Sequence, residues 1–132
     1  MYLESVKIIS QAARLKIEYL KRSFFSYIIA SILAGAYIGI GIVLIFSVGA
    51  PLAESNSVFL RTLMGISFGI ALTLIVFAGA ELFTGNNMFM TVGLFKREVS
   101  LAEALKVWGF SWLGNLIGSL LLAYLVVNSG AI

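Results

Sequence analysis

The sequence predicts an all-α membrane protein with three transmembrane helices, the second of them broken. Of its 132 residues, 61% are hydrophobic and 11% charged, whereas soluble domains carry about 25% charged residues. Uncharged stretches cover residues 24–53, 62–80, 82–95 and 107–132, and a helix crosses the hydrocarbon with about 20 apolar residues. The stretch 82–95 would rise only about 21 Å as a helix and cannot cross by itself.

Residues 1–22 read as a cytoplasmic or interfacial amphipathic helix. Val6, Ile9, Ala13 and Ile17 fall at helical spacing opposite Lys7, Arg14 and Lys21, the arrangement of a helix lying on an apolar surface. A solvated amphipathic arm has the same pattern. No small-residue cleavage site follows a short apolar run, so no cleaved signal peptide is indicated. A net charge of +3 gives no support to nucleic-acid binding, because the basic residues sit at the borders of the apolar stretches. With no cysteine in the chain, a disulfide framework and a thiolate metal site are excluded.

The spans are predicted at about residues 24–49, 61–95 and 104–127. Lys7, Arg14, Lys16, Lys21 and Arg22 precede the first, Lys96, Arg97 and Lys106 precede the third, and only Arg61 lies between the first two. If residues 62–95 make one crossing, the basic residues divide eight to one. The amino terminus is then cytoplasmic and the carboxyl terminus outside. A separate crossing for 82–95 would leave five against four, a much weaker bias.

Residues 62–95 as one straight helix would extend about 51 Å against a hydrocarbon core of about 30 Å. Inside this segment lies Glu81-Leu82-Phe83-Thr84-Gly85-Asn86-Asn87. Glycine tolerates left-handed backbone and asparagine bonds its own chain in turns. The reading is a helix to about Glu81, a break at 82–87 and a half-helix from Met88. Irregular backbone at membrane depth survives only where protein buries it or water reaches it.

Each span also carries a glycine pair at helical spacing, at positions 35 and 39, 65 and 69, and 114 and 118. These predict close helix packing, since lipid tails supply no hydrophobic contrast to hold helices together. Glu81 is the only ionisable residue in 62–95. It reads first as structural support, accepting hydrogen bonds from donors of the adjoining break, and second as a proton-coupling acid. Asn115 reads as a cross-helix hydrogen-bond partner. Without histidine or cysteine there is no nucleophile and base pair, so an enzyme is not expected. No metal or cofactor is implied.

The stretches Ala34-Gly35-Ala36-Tyr37-Ile38-Gly39, Phe68-Gly69-Ile70-Ala71-Leu72, Glu81-Leu82-Phe83-Thr84-Gly85 and Trp112-Leu113-Gly114-Asn115-Leu116-Ile117-Gly118 resemble the formate/nitrite transporter family, the nitrite-channel branch more than the formate one. The acidic-Leu-Phe-Thr element is the specific part. The resemblance implies an aquaporin-like fold in which two inverted three-helix repeats form each protomer and protomers assemble as a pentamer. It also implies that Thr84 faces the permeating anion, that Leu82 and Phe83 line the cytoplasmic constriction, and that Phe68 and Leu72 contribute to the periplasmic one. On composition alone Phe68 and Leu72 are ordinary lipid or core residues.

Family members carry a second repeat with a central histidine, which has no counterpart here. The chain therefore reads as the first repeat, whether as a truncated frame, a fragment or one subunit of a split transporter. Three functions follow as expectations: transport of nitrite or formate as half of such a transporter, a small exporter using Glu81 as its exchangeable acid, and a non-transporting partner subunit.

Overall fold

The computed structural model describes residues 2–130. Met1 and the last two residues, which the sequence reading included in its terminal segments, lie outside the described residues. Five helices follow in order: α1 (Tyr2–Arg22), α2 (Phe24–Glu54), α3 (Leu60–Ala78), α4 (Phe83–Phe95) and α5 (Leu101–Ser129). Of these, α2, α3 and α5 are long and apolar enough to cross a membrane.

Glycines set the packing of the three long helices. On the seam between α2 and α5, Gly35 lies against the Asn115 backbone, Gly114 against Ser31, and Gly118 against the Ile32 carbonyl and the Ala36 amide. The paired numbers rise together, so α2 and α5 run parallel. On the other side of α2, Gly41 faces Ala71 and Phe68, and Gly49 faces Met64, so α3 runs antiparallel to α2. Gly65 and Gly69 have no neighbour within 4 Å of a Cβ position. The glycine pairs of α2 and α5 thus serve the seam between those helices, while that of α3 faces away from the chain.

The helix directions place α1 and the connection 96–100 at one end of the bundle and Arg61 at the other. Eight of the nine basic residues therefore share one end. There the hydrophobic core gathers Ala13 and Ile17 of α1, Tyr27 of α2, Met90 of α4, and Ala104 and Val107 of α5. The apolar face of α1 is thus covered by protein: a Cβ on Gly93 of α4 would lie 2.8 Å from that of Ala13. Ion pairs Arg14–Glu98 at 3.6 Å and Lys21–Glu103 at 2.7 Å add to this docking. α5 begins with a capping box, in which the Glu103 amide donates to the Ser100 hydroxyl and the Ser100 amide to the Glu103 carboxylate, satisfying two otherwise free donors.

The break differs in position from the expected 82–87. Helix α3 stops at Ala78, and Gly79 takes the left-handed conformation at φ 63°. The Ala80 amide then bonds the Ile75 carbonyl at 3.0 Å and the Gly79 amide that of Val76 at 3.3 Å, the Schellman pattern that closes a helix end. Residues 79–82 form the break, and Phe83 to Asn87 already belong to α4. Gly79 is the residue free of a Cβ penalty where left-handed backbone is needed. Thr84, Gly85 and Asn86 occupy the opening turn of a helix, whose amides lack helical partners whatever the residue type.

These contacts predict opposite outcomes for two alanine substitutions. Gly118→Ala should destabilise the chain by about 1–3 kcal/mol through overpacking of the α2–α5 seam. Gly65→Ala should be neutral or stabilising by up to about 1 kcal/mol from helix propensity. Unfolding of the two variants in detergent micelles measures both.

Candidate functional site

A hydrogen-bonded collar holds the break in place. The Glu81 amide donates to the Ala30 carbonyl at 3.2 Å. Asn115 uses its whole side-chain amide: Nδ2 donates to the Ser31 carbonyl at 2.8 Å and the Glu81 carbonyl at 2.9 Å, and Oδ1 accepts from the Phe83 amide at 2.9 Å. One side chain of α5 therefore fastens the α4 end of the break to α2. Ala30 lies six residues into α2, so the collar sits about 9 Å along that helix from its start.

Glu81 is 6% exposed, and its partner differs from the expected one. Lys16 of α1 donates to both carboxylate oxygens at 2.8 and 2.9 Å, whereas the break's own amides go to backbone and to Asn115. The ammonium also stands 5.0 Å from the centroid of the Phe89 ring. A buried carboxylate needs a compensating charge, and a lysine from another helix supplies it more completely than single amides. Sequence reasoning missed this pairing. Its signal was there: Lys16 sits among Ala13, Ile17 and Leu20 on the buried face of α1, a basic residue on an otherwise apolar stripe.

Asn86, expected to support the break, seats α4 instead. Its Nδ2 donates to the Tyr27 hydroxyl at 3.0 Å, and its carbonyl accepts from Trp108 Nε1 at 3.3 Å. Gly85 has nothing within 4 Å of a Cβ position and borders an open groove.

Two grooves flank the break. One, of about 320 Å³, is lined by Lys16, Leu72, Gly79, Glu81, Leu82 and Gly85 among others. The other, of about 290 Å³, is lined by Gly35, Leu82, Phe83, Thr84, Trp112 and Asn115 among others. Leu82 is the ridge between them. The structure thus brings together Leu82, Phe83, Thr84 and Asn115, and sets Leu72 beside Leu82 in the first groove. Phe68 lines neither groove; its ring packs toward Gly41 on the α2–α3 seam.

The opening turn of α4 gives this region its electrostatic character. Leu82, the residue before it, makes no side-chain cap. The Phe83 amide is taken by Asn115, and among the described residues the Thr84 and Gly85 amides have no partner. Free amides at a helix start favour an anion, as does the positive end of the helix dipole. Lys16 offsets the charge of Glu81, so the carboxylate does not cancel that preference. Among the described residues no cluster of His, Cys, Asp or Glu could hold a metal ion.

Three spans with an interrupted and internally braced second crossing define a multi-pass membrane protein of channel or transporter architecture. The chain matches the formate/nitrite transporter family over residues 4–132 and belongs to that family. It is also similar to a solved structure described as an FNT family ion channel, with 36% sequence identity and a TM-score of 0.88, over 97% of this chain and 50% of that one. The chain thus spans about half the length of the structure it matches. No curated protein matches it.

The ion pair predicts strongly non-additive energetics. Lys16→Met alone should destabilise the fold by about 3–5 kcal/mol, because it leaves a buried unpaired carboxylate. The double variant Lys16→Met with Glu81→Gln should lose less than the two single changes summed. A double-mutant cycle by denaturation in micelles reads both quantities.

Proposed function

We propose that the chain forms one wall of a transmembrane path for small monovalent anions, nitrite or formate, as half of a transporter of its family. The observation that carries this reading is the opening of α4: the Thr84 and Gly85 amides are unpartnered among the described residues, Thr84 bordering one open groove and Gly85 the other, beside a charge-compensated Glu81. Leu82 and Phe83 on one side, and Leu72 on the other, act as apolar collars that exclude hydrated cations, while Phe68 backs this wall from the α2–α3 seam. The positive end of α4 then supplies anion preference with no basic residue at the constriction.

In the membrane, the end of the bundle carrying eight basic residues faces the cytoplasm, which puts the amino terminus inside and the carboxyl terminus outside the cell membrane. A second, inverted repeat supplies the opposite wall, and complete protomers assemble as a pentamer. The nitrite-channel branch is favoured by the motif resemblance described above. A non-transporting partner subunit is the second reading, supported by Gly65 and Gly69, whose Cβ positions have no neighbour within 4 Å among the described residues. Copurification with another small membrane protein, in the absence of flux, would favour it.

Liposome flux tests the first reading. The chain reconstituted with a companion second repeat should take up nitrite or formate, and Thr84→Val should slow uptake about tenfold, the equivalent of losing one hydrogen bond of ~1.4 kcal/mol. Full uptake by the chain alone would contradict the half-path arrangement. Glu81→Gln should damage folding rather than selectively abolish proton coupling, because the carboxylate is committed to Lys16.

A further inference from the structure

Helix α4 turns Asn86, Met90 and Gly93 toward the protein. Thr84, Asn87, Met88 and Thr91 fall at i, i+3, i+4 and i+7 and share another face. Thr84, Met88 and Thr91 are exposed and Asn87 is half-buried. Adjacent asparagines therefore part company, Asn86 tied to Tyr27 and Asn87 turned toward this open face.

Several polar side chains on the apolar helices bond their own backbone. The Ser47, Ser67 and Thr73 hydroxyls donate to the carbonyls four residues earlier at 2.8, 2.7 and 2.9 Å, and the Asn128 amide does so at 2.7 Å. Such groups are ready to face lipid. The side chains of Thr84, Asn87 and Thr91 make no such bond and have no partner among the described residues. Three unpaired polar groups in a row are unfavourable against hydrocarbon, and a water-containing passage satisfies all three.

We propose that the Thr84–Asn87–Thr91 face of α4 is a ladder of solute-contacting groups that carries small anions between the break and the basic connection at Lys96 and Arg97. Thr91 lies about 10.5 Å along the helix from Thr84. The face therefore covers most of the distance from the break to the end of α4. Lys96 and Arg97 are exposed at that end, where they raise the local anion concentration. Hydroxyl and amide donors spaced at successive turns exchange with hydration water without holding an anion tightly. This inference rests on the anion-path reading and extends it to Asn87 and Thr91.

The chain contains no cysteine, so single-cysteine variants of the full chain need no background removal. Thr84→Cys, Asn87→Cys, Thr91→Cys and the reference Thr73→Cys are reacted in membranes with anionic and cationic methanethiosulfonates, each rate being normalised to that of a free thiol. Asn87→Cys and Thr91→Cys should react with the anionic reagent ~10-fold faster than Thr73→Cys, prefer it over the cationic one, and be slowed by millimolar nitrite or formate. Rates equal to Thr73→Cys, or no anion preference, would overturn the proposal. If Thr84→Cys alone reacts with that preference, the ladder fails while the break remains an anion site; if none of the three does, both readings fail.

Discussion

In hydrocarbon, a backbone amide or carbonyl without a partner is too unfavourable to leave exposed, and this constraint governs the whole structure. Helix α3 stops inside the apolar sequence, so every group released there must be met by something else. The Gly79 turn closes the end of α3, Ala30 receives the Glu81 amide, and Asn115 bridges Ser31, Glu81 and Phe83. Among the described residues the Leu82, Thr84 and Gly85 amides are left over, and these residues border the two grooves beside the break. The same bonds that make the interruption tolerable also determine which donors remain for a solute.

This bracing depends on close helix approach. Asn115 reaches α2 because Gly35, Gly114 and Gly118 let the α2 and α5 backbones come nearly into contact. A side chain at any of these positions would push α5 away and open the collar. Helix packing and the geometry of the break are therefore one structural property. By contrast α3 rests on α2 alone among the long helices, leaving Gly65 and Gly69 uncovered.

The Lys16–Glu81 pair links the amino-terminal helix to the break. A carboxylate beside the start of α4 would by itself repel an approaching anion; an ammonium at 2.8 Å largely offsets that effect. The pair is strong in position and weak in net charge, which suits a site meant to favour anions through dipoles. It also means that α1 is a component of the site, since Ala13 and Ile17 bury the helix that delivers Lys16.

Much of this protein was legible in its residues. The uncharged stretches gave three spans, the distribution of lysine and arginine gave the direction of crossing expected for them, and the short segment 82–95 required an interruption. Glycine spacing pointed to close packing, which holds for the pairs of α2 and α5 and not for Gly65 and Gly69 of α3, and Asn115 pointed to a cross-helix bond. The location of the interruption was misplaced because Thr84-Gly85-Asn86-Asn87 looks like a turn, and local preference cannot separate a loop from the first turn of a helix. Likewise, nothing local distinguishes Asn86 from Asn87 or joins Lys16 to Glu81 across 65 positions of sequence. Hydrophobicity and charge are properties of segments and act through the solvent, so sequence alone identified the segments long and apolar enough to cross a membrane. Which glycine turns, which asparagine is bonded and which lysine meets the buried acid depend on contacts between segments, and only the tertiary structure decided them.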